Sequence, residues 1–390
     1  MVSDQSKQHL AYFDHAATSW PKPAPMIEAM ARYNSEVGGS PGRSGHRLSI
    51  EAGRVIFDTR EALAILLQID DPLRIILTKN ATEALNIAIF GLLQPGDHVI
   101  TTSMEHNSVM RPLRALEAQG VSLSIVTCSS QGELDPEDVR KAMLTNTKMI
   151  VATHASNVTG TIIPISEVGL IAREYNVLLC VDSAQTAGVL PINVQEAGID
   201  LLAFSGHKSL FGPQGTGGLY IRKGIEKDLR PIMMGGTGSR SEFESQPDFI
   251  PDKCESGTPN TIGIAGLGAS VRFVLAEGLE KIRKKEEKLT SCFIEKLTDI
   301  AGVRIFGPSE AIKRIAVVSF NLPSISPSEA AFELDNHFGI LCRPGLHCAP
   351  AAHRTIGTFP EGTIRFSFSC FNTEDEVYAA LEALKRIAKK

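Results

Sequence analysis

The sequence predicts an α/β fold, with a large domain built on a mostly parallel sheet and a smaller C-terminal α+β domain. Between residues 75 and 221, apolar strand-like runs alternate with helix-like runs, and after residue 257 long charged helices precede further strands. Such alternation is typical of parallel strands whose connecting helices cover both faces of the sheet. We expect domains at residues 1–257 and 258–390, with the N-terminal segment free to pack on the smaller one.

The predicted elements follow in order along the chain. Strands are predicted at 74–78, 98–102, 123–127, 149–154, 177–182, 201–205 and 218–221, and helices at 83–93, 108–119 and 135–144. The last of these helices begins with Asp135 and Pro136, which suit a cap and a first-turn position. In the smaller domain, helices are predicted at 262–276, 279–297 and 374–388, and strands near 315–320 and 363–369.

Composition argues against several classes of function. A formal net charge of -5 gives no reason to expect binding to nucleic acid or to an anionic membrane. The 7 cysteines form no C-x-x-C pair, so neither a disulfide framework nor a metal site is expected. The N-terminus lacks the pattern of a secretory signal, and no apolar run approaches the length of a membrane span. We therefore expect a cytoplasmic enzyme.

Two neighbouring predicted strands end in a carboxylate and an amine. The strand at 177–182 ends in Asp182, and the strand at 201–205 is followed by His207 and Lys208. Ligands of open α/β sheets bind beyond the carboxyl ends of the strands, so both groups would face one crevice. A pyridoxal phosphate enzyme needs this pair, a lysine for the aldehyde and a carboxylate for the pyridinium nitrogen. The alternatives are a solvated lysine and a helix N-cap at Asp182.

A phosphate site is indicated where the strand at 74–78 runs into a helix. Backbone N–H groups at the start of that helix, together with the Thr82 hydroxyl, would form an anion site. The same residues also fit an ordinary variant of the capping box, because Glu83 lies three residues after Asn80.

From Asp14 to Arg365 the chain resembles the class V aminotransferase-like pyridoxal phosphate enzymes. Within them it is most similar to the cysteine desulfurases and selenocysteine lyases, and to the SUF-type group in particular. The matching segments are FDHAAT, TKNATEALN, MEHNS, SNVTGT, VDSAQ, FSGHK, SGTPNT, RPGLHCAP and IRFSFSCFNT. The resemblance implies fold type I of the pyridoxal-phosphate-dependent transferases, pyridoxal 5'-phosphate as cofactor, and a homodimer.

The resemblance also implies a role for each matching residue. Lys208 would bind the cofactor as a Schiff base and move the Cα proton of the substrate, while His106 would stack on the cofactor ring. Ala81 stands where many relatives have a second phosphate-binding hydroxyl, so the phosphate would be held by fewer hydrogen bonds. Asp182 would pair with the ring nitrogen, and Gln185 would hydrogen-bond the phenolic oxygen. The phosphate would be bound by Thr82, Ser205 and His207, and also by Thr258 of a second subunit.

The substrate carboxylate would be bound by Asn157 and Arg365, because a guanidinium pairs with a carboxylate in bidentate fashion. Arg343 is assigned to the same substrate site. Taken singly, these residues have simpler explanations: a turn for Asn157, a surface ion pair for Arg365 and a core position for His106. Together they match the family's site.

Cys348 points to the reaction. Residues 343–350 contain a glycine and two prolines without helical or strand periodicity, which predicts a loop. The neighbouring Arg343 and His347 would favour the thiolate, the form that attacks sulfur. In the family, a cysteine in such a loop takes sulfur from the substrate, which leaves a persulfide and releases alanine. The alternative is a free cysteine in a turn.

The sequence thus predicts an enzyme that converts L-cysteine to L-alanine with a persulfide on Cys348, for transfer to an unidentified acceptor protein. Three alternatives stay open: a selenocysteine lyase acting on L-selenocysteine, another class V reaction such as transamination or β-elimination, and a weakly catalytic sulfur-relay or scaffold protein.

Overall fold

The computed structural model describes residues 10–42 and 45–389. The strands, numbered in chain order, are β1 Ala11–Tyr12, β2 Ile75–Thr78, β3 His98–Thr102, β4 Ser122–Val126, β5 Thr147–Thr153, β6 Leu178–Asp182, β7 Leu201–Ser205, β8 Gly217–Ile221, β9 Arg304–Phe306, β10 Val317–Asn321, β11 Ile340–Leu341, β12 Arg343–Gly345 and β13 Thr363–Ser367. The α-helices are α1 Ala24–Arg32, α2 Arg47–Leu67, α3 Ala81–Leu92, α4 Asn107–Glu117, α5 Pro136–Lys141, α6 Ile165–Glu174, α7 Thr261–Glu277, α8 Leu279–Leu297, α9 Pro327–Phe338, α10 Pro350–Thr355 and α11 Glu374–Ala388.

The large sheet has seven strands in the order β2-β8-β7-β6-β5-β3-β4. Strands β3 to β7 pair in parallel, and β8 is antiparallel to both β2 and β7. The central strands β6 and β7 are almost continuously apolar because helices and loops cover both faces of the sheet. The predicted α/β class with a mostly parallel sheet is confirmed.

The parallel strands bring their carboxyl ends to one edge of the sheet. Asp182 ends β6 and Ser205 ends β7, and the two strands are paired in register. Helix α3 begins beside this edge, where Asn80 caps it by accepting a hydrogen bond from the Glu83 N–H at 2.9 Å. This edge therefore concentrates polar groups against an otherwise apolar core.

The C-terminal part contains a four-stranded antiparallel sheet in the order β12-β13-β10-β9. Strand β1 pairs in parallel with β11 of this part, and the Ser367 N–H donates to the Phe13 carbonyl at 2.7 Å. Helix α7, in contrast, packs Leu267 and Val271 into the core of the large sheet. The domain boundary after residue 257 stays a prediction.

The loop predicted at 343–350 is only partly correct. Arg343–Gly345 forms strand β12, which pairs with β13, and helix α10 begins at Pro350. Strand β12 lies at the edge of its sheet, the position in which a proline such as Pro344 is tolerated. Residues 346–349 alone connect the two elements.

In the part of the chain that the structure describes, no single helix is long and apolar enough to cross a membrane. Helices α7 and α8 meet the length and hydropathy requirement only as a pair, and they are bent by 79° relative to each other.

Candidate active site

A cavity of about 260 Å³ lies at the carboxyl edge of the large sheet, closed on one side by the C-terminal part. Residues from both parts line it. Those predicted for the site are Ala81, Thr82, His106, Asn157, Asp182, Gln185, Ser205, His207, Lys208, Arg343 and Arg365. Cys348 and Thr258 are not in this lining.

Asp182 and Lys208 meet in the cavity. An Asp182 carboxylate oxygen accepts from the Ala184 N–H at 2.9 Å, so the carboxylate caps a turn rather than a helix. Burial raises the pKa of Asp182, while the Lys208 charge opposes this shift. Burial lowers the pKa of Lys208 to about 8, and Asp182 opposes that shift in turn. A larger fraction of the Lys208 amine is therefore unprotonated near neutral pH than for a solvated lysine.

The start of α3 forms the end of the cavity that is suited to an anion. Ser205 Oγ accepts from the Ala81 N–H at 3.3 Å, and Thr82 Oγ1 lies 2.8 Å from Ser108 Oγ. The His207 Nδ1 atom is buried without a hydrogen-bond partner among the described residues. Helix N–H groups, hydroxyls and an imidazole are suitable donors for a phosphate.

The alternative interpretation of this segment, a capping box formed by Asn80 and Glu83, is also correct except for one hydrogen-bond partner. The Asn80 side chain caps the Glu83 N–H, but Glu83 Oε2 accepts from the Lys79 N–H at 2.6 Å, one residue before the cap. Capping by these side chains and an anion site at the same helix start are therefore compatible.

His106 forms a wall of the cavity and caps α4. Its Nδ1 accepts from the Ser108 N–H at 3.0 Å, which places the proton of the neutral ring on Nε2. Burial lowers the pKa of His106 to about 4, with Lys208 adding to the shift. The ring is therefore neutral and fixed in orientation, as stacking on a cofactor requires.

Arg365 is buried, with a relative exposure of 1%. Its Nη2 donates to Asp14 Oδ1 at 2.7 Å and its Nη1 to the Asn157 carbonyl at 3.0 Å. The Nε atom has no hydrogen-bond partner among the described residues. The surface ion pair considered as an alternative is therefore wrong, and the guanidinium retains an unused donor.

Sequence reasoning missed Asp14, although the motif FDHAAT contains it. The carboxylate and Arg365 are separated by 351 residues, and nothing in either segment alone indicates the pairing. The nearby Gln185 Nε2 donates to the Ala16 carbonyl at 3.1 Å, so the segment after β1 closes over the cavity.

Glu105 was also missed. Its Oε1 accepts from the Thr102 hydroxyl at 2.7 Å and the Thr153 N–H at 3.0 Å, while Oε2 is buried without a partner among the described residues. Burial raises the pKa of Glu105 to about 8, and the nearby Asp182 adds to the shift. The signal in the sequence was an acid between the end of a buried strand and His106.

Cys348 lies at the rim of the cavity and is exposed. Arg343 Nη2 approaches its Sγ at 3.7 Å, and the Asn107 N–H donates to its carbonyl at 2.8 Å. The expectation that His347 acts as a second cation is wrong. This ring is buried at 3% exposure, and burial holds its pKa well below the usual value, so it is neutral.

Thr258 is exposed and lies outside the cavity of its own chain. Its predicted contact requires a second subunit and stays a prediction.

These residues fit pyridoxal phosphate by the chemistry of their donors. A buried carboxylate faces an amine, a neutral imidazole provides a flat wall, and the unpartnered His207 Nδ1 lies in the lining that also includes the start of α3. A pyridinium nitrogen, an aromatic ring and a phosphate need these three features in one cavity.

Comparison with known proteins identifies the family of this chain. The family model for aminotransferase class-V matches residues 11–379. A probable cysteine desulfurase of Methanothermobacter thermautotrophicus is 34% identical, over 97% of this chain and 94% of its own. The apo structure of a cysteine desulfurase from Thermococcus onnurineus NA1 superposes with a TM-score of 0.92 at 34% identity, covering 97% of this chain and 95% of that one.

A third comparison extends this result to a more distant structure. The cysteine desulfurase CsdA from Escherichia coli gives a TM-score of 0.87 at 28% identity, covering 97% of this chain and 95% of that one. The chain belongs to the aminotransferase class-V family, whose fold type I is thereby confirmed. Within that family, each of these three similar proteins carries the name cysteine desulfurase.

Proposed function

We propose that this chain is a pyridoxal-phosphate-dependent cysteine desulfurase. The observation that carries the proposal is the exposed Cys348 thiol, 3.7 Å from Arg343, at the rim of the cavity in which Asp182 and Lys208 meet. A transaminase would have no use for a thiol at this position.

Each residue of the cavity would contact a different part of the cofactor. Lys208 would hold its aldehyde carbon, Asp182 its ring nitrogen and Gln185 its phenolic oxygen, with the His106 ring against its face. Thr82, Ser205, His207 and the N–H groups of α3 would hold its phosphate. When bound, pyridoxal phosphate supplies an electron sink that stabilises negative charge at the Cα of an amino acid.

The protein groups then act on L-cysteine. Arg365, kept in place by Asp14, binds the substrate carboxylate with Asn157, and Lys208 moves the Cα proton. The Cys348 thiolate attacks the substrate sulfur; an S–S bond forms and the Cβ–S bond breaks, with its electron pair left on carbon. Protonation of that carbon gives L-alanine. One L-cysteine and one enzyme thiol thus become one L-alanine and one enzyme persulfide.

The test compares the wild-type protein with Cys348→Ala, both loaded with pyridoxal phosphate and given L-cysteine. We expect stoichiometric alanine and a mass increase of one sulfur on Cys348 in the wild type, and neither in the variant. Full alanine release by Cys348→Ala would overturn the proposal. A parallel incubation with L-selenocysteine separates a lyase from a desulfurase, because a selenocysteine lyase would release alanine only from that substrate.

A further inference from the structure

Two consecutive residues at the rim of the cavity have left-handed backbone conformations. His347 has a φ of 49° and Cys348 a φ of 58°. This region is unfavourable for residues that carry a Cβ, so the surrounding structure must hold both residues in place. The direction of the Cys348 thiol therefore depends on contacts made by its neighbours.

Three hydrogen bonds accepted by backbone carbonyls hold this pair. Asn157 Nδ2 donates to the His347 carbonyl at 2.7 Å, and the Asn107 N–H donates to the Cys348 carbonyl at 2.8 Å. The third joins the His347 ring, through Nε2, to the Arg343 carbonyl at 3.0 Å. This last bond closes the segment 343–347 onto itself and is the only one of the three that depends on a protonation state.

A second buried histidine fixes that state. His353, 0% exposed in helix α10, places its Nε2 3.2 Å from His347 Nδ1, and its own Nδ1 lies 2.7 Å from the Thr358 hydroxyl. A carbonyl can only accept, so His347 Nε2 must donate to Arg343 and His347 Nδ1 must accept. His353 Nε2 is then the donor to it, and His353 Nδ1 accepts from Thr358.

These four groups thus form a chain in which every hydrogen bond points the same way: Thr358 donates to His353, His353 to His347, and His347 to the Arg343 carbonyl. The chain fixes the tautomer of both rings. Burial lowers the pKa of His353 to about 4, in agreement with a neutral pair. The charge of Arg365 disfavours protonation of both rings, and that of Arg343 disfavours protonation of His347.

We propose that His353 is a positioning residue for persulfide formation: its Nε2–H holds the His347 ring, and through that ring the left-handed Cys348, in the geometry for attack on sulfur. The catalytic part of this inference rests on the proposed desulfurase function. Its structural part, the orientation of the thiol, does not.

The experiment uses a matched pair of variants in the full chain loaded with pyridoxal phosphate. His353→Gln keeps an N–H donor near the position of Nε2, whereas His353→Met fills a similar volume without one. For His353→Met we expect kcat for alanine formation to fall about ten-fold or more with KM for L-cysteine changed less than about two-fold, because misplacing a reacting group by about 1 Å slows chemistry more than binding. His353→Gln should retain most of the activity.

A second readout needs no desulfurase activity. The rate of Cys348 alkylation by iodoacetamide, followed by peptide mass spectrometry, should change at least about three-fold in His353→Met and little in His353→Gln, because it depends on the exposure and setting of the thiol. If the wild type forms no persulfide, the proposed function fails, and the alkylation rates still decide whether His353 orients Cys348.

Equal behaviour of the Gln and Met variants in both readouts, or an unchanged kcat in His353→Met, would overturn the inference. The unfolding midpoint and the cofactor absorbance of each variant show whether it folds. If His353→Met does not fold, Thr358→Val takes its place, since it removes only the donor to His353 Nδ1. It should show a smaller loss of kcat with an unchanged KM, and no loss would count against the proposal.

Discussion

Burial controls the charge of individual side chains in the cavity and next to it. It lowers the pKa of Lys208 to about 8 and that of His106 to about 4, and it raises the pKa of Glu105 to about 8. Arg343 and Arg365 both line the cavity, and a guanidinium pairs well with a carboxylate. We therefore expect the carboxylate of a substrate to bind at the end of the cavity that holds the arginines.

At Asp14, we expect substitution to damage both stability and substrate binding. Asp14→Asn leaves Arg365, which is 1% exposed, without its charged partner, and breaking a buried pair costs about 3–5 kcal/mol. The variant should unfold at lower denaturant concentration and show a raised KM for L-cysteine. Asp138→Asn, which removes the exposed partner of Lys141, is the control and should lower the stability much less, because an exposed ion pair contributes little. Similar losses in the two variants would contradict this assignment.

At Glu105, the expected effect depends on pH. The pKa of this carboxyl is about 8 in the folded protein and 4.5 in the unfolded chain. Between these two pH values, the folded state therefore binds one more proton than the unfolded state. Stability contributed by the wild-type side chain therefore falls as pH rises from about 4.5 to 8. Glu105→Gln resembles the protonated acid and lacks this dependence.

The measurement is urea unfolding of wild type and Glu105→Gln at pH 5 and pH 8. From pH 5 to pH 8, the free energy of unfolding of the wild type should fall by about 2–4 kcal/mol relative to that of Glu105→Gln. Each unit of pKa change corresponds to about 1.4 kcal/mol. The exposed Glu295→Gln provides the baseline. A constant difference for Glu105→Gln would show that the carboxyl is ionised when folded.

Among the secondary-structure elements, those with strong local patterns were predictable. Strands β3 and β7 and helices α8 and α11 have the bounds predicted from apolar runs and periodicity. Helix α6 was not predicted, in part because Gly169 lowers helix propensity. A Cβ at this position would lie 1.9 Å from the Ala197 carbonyl oxygen, so tertiary packing requires the glycine that local propensity disfavours.

This contrast gives a prediction for two helical glycines. Gly169→Ala should destabilise the protein by about 1–3 kcal/mol, because the backbone of residue 197 must move to make room. Gly53→Ala in α2, where a Cβ would meet nothing within 4 Å, should be neutral or stabilise by up to about 1 kcal/mol. Chemical denaturation of both variants measures the difference, and an equal effect would show that α6 can shift freely.

On the scale of the whole molecule, the motifs were visible in the sequence but their contacts were not. The ends of two predicted strands indicated Asp182 and Lys208, the family resemblance supplied Arg365, and the structure brings all three to one cavity. The pairing of Arg365 with Asp14 and of His347 with His353 depends on how the C-terminal sheet, β1 and α10 pack, and no local pattern encodes that. Sequence reasoning therefore identified the side chains of the site, but not the ion pair and the hydrogen bonds that hold these side chains in position.

The predicted homodimer has a test at Thr258. We expect sedimentation to give twice the chain mass of 42.1 kDa, and Thr258→Val to release pyridoxal phosphate about ten-fold faster or more, because a hydrogen bond to a charged group contributes about 1.5–3 kcal/mol. The exposed Thr145→Val is the control and should retain the cofactor as the wild type does. A monomer whose Thr258→Val variant keeps its cofactor would rule out a shared site.

The pairing of Asp14 with Arg365 also has a consequence for the order of events during protein synthesis. The ribosome makes the chain from its N-terminus, and residue 365 follows residue 14 by 351 residues. Lys208 and the start of α3 leave the ribosome well before Arg365 is translated. A chain that has not been translated as far as residue 365 thus lacks the guanidinium that pairs with Asp14, and the carboxylate site that we propose would be incomplete in it.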